Sequence, residues 1–159
     1  MTSSVKKIGE NYISILERKF NAPAEVVWEI SKNTDVFKKA YNLDFNLDMY
    51  RSVSTVVDEY NNKEELRILH YKENFCIELR WRDDVLRFDF MKYINNTCIM
   101  SITEVFAGYG SYITHDIVKQ NLLFDFIEEK ITEVEVDKLK LEEEYTRKYT
   151  KLVEEARRS

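Results

Sequence analysis

The residues of this chain that could do chemistry are few and lie far apart in the sequence. The two cysteines, Cys76 and Cys98, and the two histidines, His70 and His115, lack the clustered spacing of a zinc site. His70 could act as a base near neutral pH, but no nucleophile can be paired with it, and no nucleophile elbow or phosphate-binding loop is present. We therefore expect two reduced thiols, no catalytic residue, no metal and no cofactor.

Glu104 is the polar residue whose position matters most, because it lies near the end of a predicted strand that follows a turn at Asn95 and Asn96. If that turn has a three-residue loop, Glu104 shares a face with Phe88 and Phe90, and burial would raise its pKa towards that of a useful acid or base. If the loop has two residues, the side chain points to water instead. Both arrangements are compatible with the sequence, and we favour the outward one.

A second candidate is a set of charged residues on two neighbouring predicted strands: Glu78, Arg80, Arg82, Arg87 and Asp89. These residues alternate with core-face residues such as Leu79 and Phe88, so the charges belong on the solvated face. A turn at residues 83–84 would set Arg80 opposite Arg87. It would also set Glu78 opposite Asp89, so that only the diagonal pairs attract. We expect a solvated surface here and not an active site.

These side chains must be positioned by short strands followed by a long helix. Apolar residues recur in seven segments that we predict as strands: residues 12–20, 43–50, 52–60, 66–72, 75–81, 86–90 and 97–106. Two short helices, at residues 23–32 and 36–41, follow the first strand, with Pro23 opening the first helix and a cap at residues 33–35 for the second. Residues 1–11 are polar, and we predict that they are frayed. With only 3 Gly and 1 Pro in the chain, asparagine is expected in the turns instead.

The last quarter of the chain contains the element around which the others are organised. Residues 117–131 are apolar on nearly every side of a helical wheel, so the sheet must wrap this helix. A straight helix from residue 115 to 157 would exceed the width of the domain, and we predict a break at residues 132–137. Beyond the break, an apolar stripe is predicted to protrude and contact a partner or a second copy: Leu141, Tyr145, Tyr149 and Leu152. The alternative is that this segment folds back on its own domain.

Three stretches resemble the START-like (SRPBCC) superfamily. Residues 13–33 resemble its opening strand, Ala-Pro turn and Val-Trp-bearing helix, and residues 97–108 resemble its last strand with a Thr-x-Glu; the long helix follows a short glycine-containing loop, as in that superfamily. The resemblance implies an α+β helix-grip fold, in which a curved antiparallel sheet of about seven strands, with two short helices after strand 1, wraps around a long C-terminal helix. The chain would form one domain, residues 1–159, with 132–159 as its helical C-terminal extension.

Within this superfamily the chain is most similar to the branch of the heat-shock ATPase activator homologues and polyketide-cyclase-like proteins, although the tryptophan-rich stretch of many of those homologues is missing at residues 38–50. Members commonly hold a small apolar ligand between sheet and helix. We predict these residues as the lining of such a cavity: Trp28, Phe45, Met49, Leu79, Trp81, Phe88, Phe90, Met100, Ile102, Leu123 and Ile127.

The expected function is therefore binding of a small hydrophobic or amphipathic ligand, such as a lipid, without covalent chemistry. One alternative is a co-chaperone-like or self-associating module that acts through the C-terminal helix. A third is an enzyme of the cyclase or hydrolase type. A cavity above about 300 Å3 beside the long helix favours the first function, a filled core favours the second, and two polar groups converging inside the cavity favour the third.

Composition sets the remaining limits. The net charge of the 159 residues is -5, so we expect no nucleic-acid partner. No stretch approaches the ~20 apolar residues of a membrane span, and residues 1–12 lack the apolar core of a secretory leader. We expect a cytoplasmic protein without a membrane span.

Overall fold

In the computed structural model, which describes residues 2–48 and 50–159, helices cover one face of a single antiparallel sheet. The described residues form eight strands: β1 Thr2–Ile8, β2 Asn11–Phe20, β3 Asp44–Asp48, β4 Val53–Val57, β5 Lys63–Lys72, β6 Cys76–Trp81, β7 Asp84–Tyr93 and β8 Thr97–Phe106. They also form four α-helices: α1 Ala24–Ser31, α2 Thr34–Tyr41, α3 Tyr112–Thr132 and α4 Lys138–Arg158. The strand order is β1-β2-β8-β7-β6-β5-β4-β3, and each strand is antiparallel to its neighbours.

The strand β8 shows how the sequence pattern produces the sheet. From Cys98 to Phe106, every second side chain is buried, and the neighbouring strands β2 and β7 alternate in the same way. Successive side chains of a strand point to opposite faces, so one face of the sheet carries the core and the other faces solvent. The predicted period-two strands are confirmed by this arrangement.

Local signals in the sequence define the short helices and the turns. Pro23 immediately precedes α1, and the Oδ1 atom of Asn33 accepts hydrogen bonds from the backbone N–H groups of Asp35 at 2.9 Å and Val36 at 3.3 Å. Asparagine indeed takes the place of glycine in the turns, since five asparagines have positive φ: Asn42, Asn61, Asn74, Asn95 and Asn96.

The helix α3 is the most buried of the four helices, as its apolar wheel predicts. Phe124 is fully buried, and its ring lies 6.0 Å from the ring of Phe20 and 5.2 Å below the guanidinium group of Arg18. The predicted break is confirmed as well. The helix ends at Thr132, Glu133 adopts a left-handed conformation with φ 59°, and the side chain of Asp137 caps α4.

The structure corrects the predicted protrusion of the C-terminal segment, because α4 folds back and packs against α3 and β1 of its own domain. Tyr149 is fully buried, and its hydroxyl group donates a hydrogen bond to Asn121 Oδ1 at 3.3 Å. The Tyr145 hydroxyl donates to Asp125 Oδ2 at 2.6 Å, and Arg18 donates to Asp125 Oδ1 at 2.6 Å. The apolar stripe thus finds its complement within the chain, and buried polar groups are paired across the contact.

The N-terminal residues form an eighth strand, so the predicted frayed segment and the sheet of about seven strands were wrong. The strand β1 pairs with β2 through a turn in which Gly9 has φ 63°. It lies at the edge of the sheet, and Val5 is the residue of this strand that packs against the core. An edge strand with one core contact leaves little apolar periodicity in the sequence. The two short helices consequently follow the second strand and not the first.

The hairpin of β6 and β7 also differs from the prediction, because its loop consists of Arg82 and Asp83, and Asp84 already belongs to β7. Glu78 therefore lies directly opposite Arg87, whereas the prediction had placed Glu78 opposite Asp89. Arg87 forms ion pairs with Glu78 at 3.3 Å and with Asp89 at 3.0 Å. These charges lie on the outer face of the sheet, as predicted, and form a partly exposed surface network.

Candidate functional site

An apolar cavity lies between the inner face of the sheet and the helices α1, α2 and α3, and its volume is about 50 Å3. Seven of the residues predicted to line it do so: Trp28, Phe45, Leu79, Trp81, Phe88, Phe90 and Leu123. Met100, Ile102 and Ile127 are instead fully buried in the packed core outside this lining. Met49 lies outside the described residues. Whether any of these residues binds a ligand stays a prediction.

Several lining residues were not predicted, among them Phe37, Leu47, Tyr71 and Leu86. The inward faces of the strands could have identified Leu47 and Leu86, which alternate in phase with Phe45 and Phe88. No comparable signal in the sequence singles out Phe37 of α2.

The cavity is small for a ligand site but contains unpaired donors in its wall. A volume of about 50 Å3 accommodates a few water molecules and is well below the several hundred Å3 of typical ligand pockets. The Trp28 ring packs edge-on against Tyr71 at 5.6 Å and Phe90 at 5.1 Å. Within residues 2–48 and 50–159, the indole N–H groups of Trp28 and Trp81 have no hydrogen-bond partner.

A second, polar pocket of about 450 Å3 lies beside the first turns of α3. Its lining includes Tyr41, Arg82, Tyr112, Asp116 and Lys119. The ring centroids of Tyr41 and Trp81 lie 6.2 Å apart, and the ring planes are inclined by 30°. Trp81 is the residue that the linings of the two compartments share.

Three carboxyl groups converge beside this pocket. One oxygen atom each of Asp84, Glu104 and Asp116 lies within 4.8 Å of the other two. Asp84 is the first residue of β7, Glu104 lies near the end of β8, and Asp116 is in the second turn of α3, where it also lines the polar pocket. Asp84 is 5% exposed and Glu104 is 4% exposed, whereas Asp116 is half-buried. We call these three residues the acidic cluster.

The inward position of Glu104 corrects the prediction that we favoured. The turn between β7 and β8 has a three-residue loop, residues 94–96, so that Tyr93 pairs with Thr97 and Leu86 pairs with Glu104. This register places Glu104 on the core face with Phe88 and Phe90, which is the alternative that the sequence had left open.

Burial sets the protonation of the acidic cluster. Burial, followed by the charges of Asp116 and Asp84, raises the pKa of Glu104 to about 9. Burial also raises the pKa of Asp116, to about 6, although the positive charges of Arg82 and Lys119 oppose this shift. The pKa of Asp84 is raised by burial too, while its Oδ1 atom accepts a hydrogen bond from the backbone N–H of Ala107 at 2.9 Å. The carboxyl groups of Glu104 and Asp116 are hydrogen-bonded to each other, and burial favours a proton shared by the pair, with Glu104 the more strongly shifted member.

Polar side chains surround the acidic cluster without neutralising it. The amide Nε2 of Gln120 donates to Glu104 Oε1 at 2.6 Å, but the amide Oε1 has no partner in the described part of the chain. The hydroxyl group of Tyr41 likewise lacks a partner there. Burial raises the pKa of Tyr41 well above its ordinary value, and the charges of Glu104 and Asp116 raise it further, so this hydroxyl lies within reach of their electric field.

The remaining candidate residues are not brought to this site. His70 is exposed on β5, and Cys76 and Cys98 are free, buried thiols. Burial raises the pKa of Cys98 to about 11, so this thiol is protonated at neutral pH and unreactive. His115 lines the polar pocket, and burial lowers its pKa. The stripe on α4 faces its own domain, with Tyr149 buried and Leu141, Tyr145 and Leu152 half-buried.

The residues of the acidic cluster were mostly missed by sequence reasoning. Asp84 had been assigned to a turn, and Asp116 is one polar position in a helix that was noticed for its apolar residues. Only Glu104 was considered, because its phase relative to Phe88 depended on one turn. To predict the whole cluster from the sequence, one would need to know the lengths of the loops between β6 and β7 and between β7 and β8.

Comparisons with known proteins identify the fold. No protein-family model matches the sequence, and no curated protein matches it either. The conserved protein of unknown function EF2215 from Enterococcus faecalis has a similar structure, with a TM-score of 0.75 and 15% identity over 94% of this chain and 91% of that chain. The crystal structure of CalU16 from Micromonospora echinospora has a TM-score of 0.66 and 14% identity over 96% of each chain.

At such identities the similarity concerns the fold alone. An open antiparallel sheet packed against a long helix near the C-terminus is consistent with a helix-grip-type fold. Membership of the START-like superfamily stays a prediction. None of the helices within residues 2–48 and 50–159 is long and apolar enough to cross a membrane.

Proposed function

We propose that the protein binds a small amphipathic molecule, whose apolar end contacts the apolar cavity and whose polar end lies in the polar pocket. The observation that carries this proposal is the shared position of Trp81 in the linings of both compartments. The polar pocket, at about 450 Å3, has the size of a small-molecule site. The apolar cavity, at about 50 Å3, accepts only the end of an apolar chain unless a side chain moves.

Trp81 is suited to be the side chain that moves. It is half-buried, and its indole N–H makes no hydrogen bond to the described residues, so none has to be broken when the ring rotates. The indole N–H of Trp28 likewise has no partner within residues 2–48 and 50–159. An unpaired buried donor costs about 1–3 kcal/mol, and a ligand oxygen that accepts from either indole would recover part of this free energy.

An amphipathic ligand fits these dimensions better than a wholly hydrophobic one. The compartment that is large enough contains charged side chains, whereas the one that is apolar is small. Charged groups such as Asp116 and Lys119 at the polar pocket favour a ligand with polar or charged atoms, because burying such groups against an apolar surface leaves them unsolvated.

Acid–base catalysis on the polar end of the same ligand is a second candidate function. It is favoured by the Glu104–Asp116 pair, in which a proton donor and a carboxylate lie side by side next to a pocket. Any molecule that co-purifies with the protein can be identified by native mass spectrometry and incubated with the wild type and with Glu104→Gln. Conversion by the wild type alone supports catalysis, and no conversion by either protein leaves binding as the function.

Self-association through α4 stays a prediction. The apolar surface of α4 that could contact a second copy is smaller than the sequence indicated, because part of the stripe is buried within the domain. Tyr145 and Tyr149 make intramolecular hydrogen bonds, so a partner would have to use what remains exposed of the stripe.

Tryptophan fluorescence tests the binding proposal directly, because Trp28 and Trp81 are the only tryptophans in the chain and both line the apolar cavity. Octanol, octanoate and octylamine provide one chain length with neutral, anionic and cationic heads. We expect at least one of them to bind saturably with one molecule per chain and to shift the tryptophan emission. No saturable binding by any of the three, measured also by calorimetry, contradicts the proposal.

A matched pair of variants locates the binding. Leu47→Phe adds volume to the wall of the apolar cavity, whereas Leu139→Phe makes the same change at an exposed position on α4. Neither change adds a tryptophan. We expect weaker binding for Leu47→Phe and unchanged binding for Leu139→Phe, and equal effects of the two would place the ligand elsewhere.

A further inference from the structure

The acidic cluster holds more negative charge than its protein neighbours neutralise. Among the described residues, no lysine, arginine or histidine forms an ion pair with Asp84, Glu104 or Asp116. Arg82 and Lys119 act on Asp116 only at longer range. Buried carboxylates persist when they are protonated, paired with a cation or bound to a metal ion. Because no protein cation is paired with this cluster among the described residues, a proton or a bound metal ion remains as the stabilising partner.

Two buried polar atoms beside the cluster have no partner among the described residues and point to a ligand there. Gln120 is 1% exposed, and its amide group contacts Glu104 while its Oε1 atom has no partner within residues 2–48 and 50–159. Tyr41 is 4% exposed and lines the pocket that Asp116 lines, and its hydroxyl group has no partner among the described residues. The hydrogen bond between Glu104 and Asp116 pairs neither of these two atoms. A hydrated cation supplies partners for both atoms, one as a direct ligand and one through a coordinated water molecule.

We propose that Asp84, Glu104 and Asp116 bind one hard divalent cation, with the Gln120 amide oxygen and water from the polar pocket completing its coordination. The carboxylate oxygens lie within 4.8 Å of one another, and ligand oxygens placed around one ion at 2.0–2.6 Å have separations of that order. A half-turn of the Gln120 amide exchanges its nitrogen and oxygen atoms, so that the oxygen is directed to the cluster in place of the Nε2 group, which gives up its hydrogen bond to Glu104. Asp116 provides the route of entry, because it belongs to both the cluster and the polar pocket.

The donor atoms define the class of metal. Carboxylate, amide and water oxygens are the ligands that Mg²⁺, Mn²⁺ and Ca²⁺ prefer, whereas the cluster has no thiolate or imidazole to favour Zn²⁺ or Cu²⁺. Glu104 must lose its proton to act as a ligand, so affinity is expected to increase with pH. The metal site does not depend on the amphipathic ligand, and its test requires no organic molecule.

Binding of Mn²⁺ tests the proposal, since this ion is paramagnetic and can be followed in the full chain. Protein freed of metal with a chelator is titrated with MnCl₂ at about pH 8, and the free ion is measured by electron paramagnetic resonance and the heat by calorimetry. We expect one saturable site per chain, displacement of Mn²⁺ by Mg²⁺ or Ca²⁺, and a higher melting temperature with metal. No saturable site for Mn²⁺, Mg²⁺ or Ca²⁺ at millimolar concentration overturns the proposal.

Three variants separate the cluster from other acidic residues. Asp116→Asn and Glu104→Gln each remove a ligand and should weaken Mn²⁺ binding by at least about 100-fold. Glu65→Gln makes the same change in charge at an exposed position on β5 outside the polar pocket, where Glu65 is paired with Arg51, and should leave binding unchanged. Circular dichroism in chelator shows whether each variant is folded. If Asp116→Asn does not fold, Glu104→Gln decides the test, and binding retained by a folded cluster variant overturns the assignment.

Discussion

Replacing Glu104 with Gln removes the ionisation of the most strongly shifted carboxyl group while keeping its shape. In a buffer that contains a chelator, no divalent cation competes with the proton for this side chain. Glutamine resembles the protonated acid, so the contact with Gln120 can be kept. We expect the variant to fold and to be less sensitive to pH than the wild type.

The sign and size of the effect follow from the pKa. Burial and neighbouring carboxylates raise the pKa of Glu104 from 4.5 to about 9. Below pH 4.5 both the folded and the unfolded states hold this proton. Between 4.5 and about 9 the unfolded chain releases it while the folded chain retains it, so stability falls as the pH increases. The slope is about 1.4 kcal/mol per pH unit, which gives a loss of about 3 kcal/mol between pH 5.5 and pH 8.

Urea unfolding at about pH 5.5 and about pH 8 measures this loss. The free energy of unfolding of the wild type minus that of Glu104→Gln reports the contribution of Glu104 together with its coupling to Asp116, because the titrating groups elsewhere are common to both proteins. We expect this difference to become more negative by about 2–3 kcal/mol between the two pH values, and Glu65→Gln, at an exposed position on β5, to follow the wild type. A difference that changes by less than about 0.5 kcal/mol would show that Glu104 is not buried as a neutral acid.

The remaining predictions concern the helices. Phe124→Ala should lower the free energy of unfolding by about 3–5 kcal/mol, because its ring is fully buried, whereas Leu139→Ala at an exposed position should cost less than about 0.5 kcal/mol; urea unfolding distinguishes the two. Deletion of residues 134–159 should destabilise the chain without changing its assembly, since Tyr149 is buried within its own domain. A full-length dimer that becomes a monomer of undiminished stability on truncation would show by light scattering that α4 acts between chains.

The fold was predictable where the sequence has a period. Strand β8 alternates without interruption, α3 is apolar on all sides, and the acidic, β-branched segment after Thr132 marks the end of that helix. The edge strand β1 was not predictable in the same way, because only Val5 packs against the core and the pairing with β2 is made by backbone groups. Backbone pairing leaves no pattern in the side chains.

The direction of α4 was open in the sequence for a different reason. An apolar stripe specifies that a helix packs against something but not whether that surface belongs to the same chain. The structure resolves this through polar groups on other elements: Asp125 on α3 accepts hydrogen bonds from both Arg18 on β2 and Tyr145 on α4. This hydrogen-bond network forms only when β2, α3 and α4 are packed together, so the spacing of residues within any one of these elements does not predict it.

The acidic cluster depends on turn length more than on the composition of the strands. Asn95 and Asn96 with positive φ give the turn before β8 a three-residue loop, and Arg82 with φ 58° gives the turn before β7 a two-residue loop. A strand shifted by one residue exchanges its two faces. With a two-residue loop in this turn, the same β8 sequence would turn Thr103 inward and Glu104 into solvent. The position of the acidic residues is therefore determined by turn residues that do not belong to the cluster. To predict the cluster from a sequence, the lengths of the two hairpin loops must be assigned before the acidic residues can be placed on a face of the sheet.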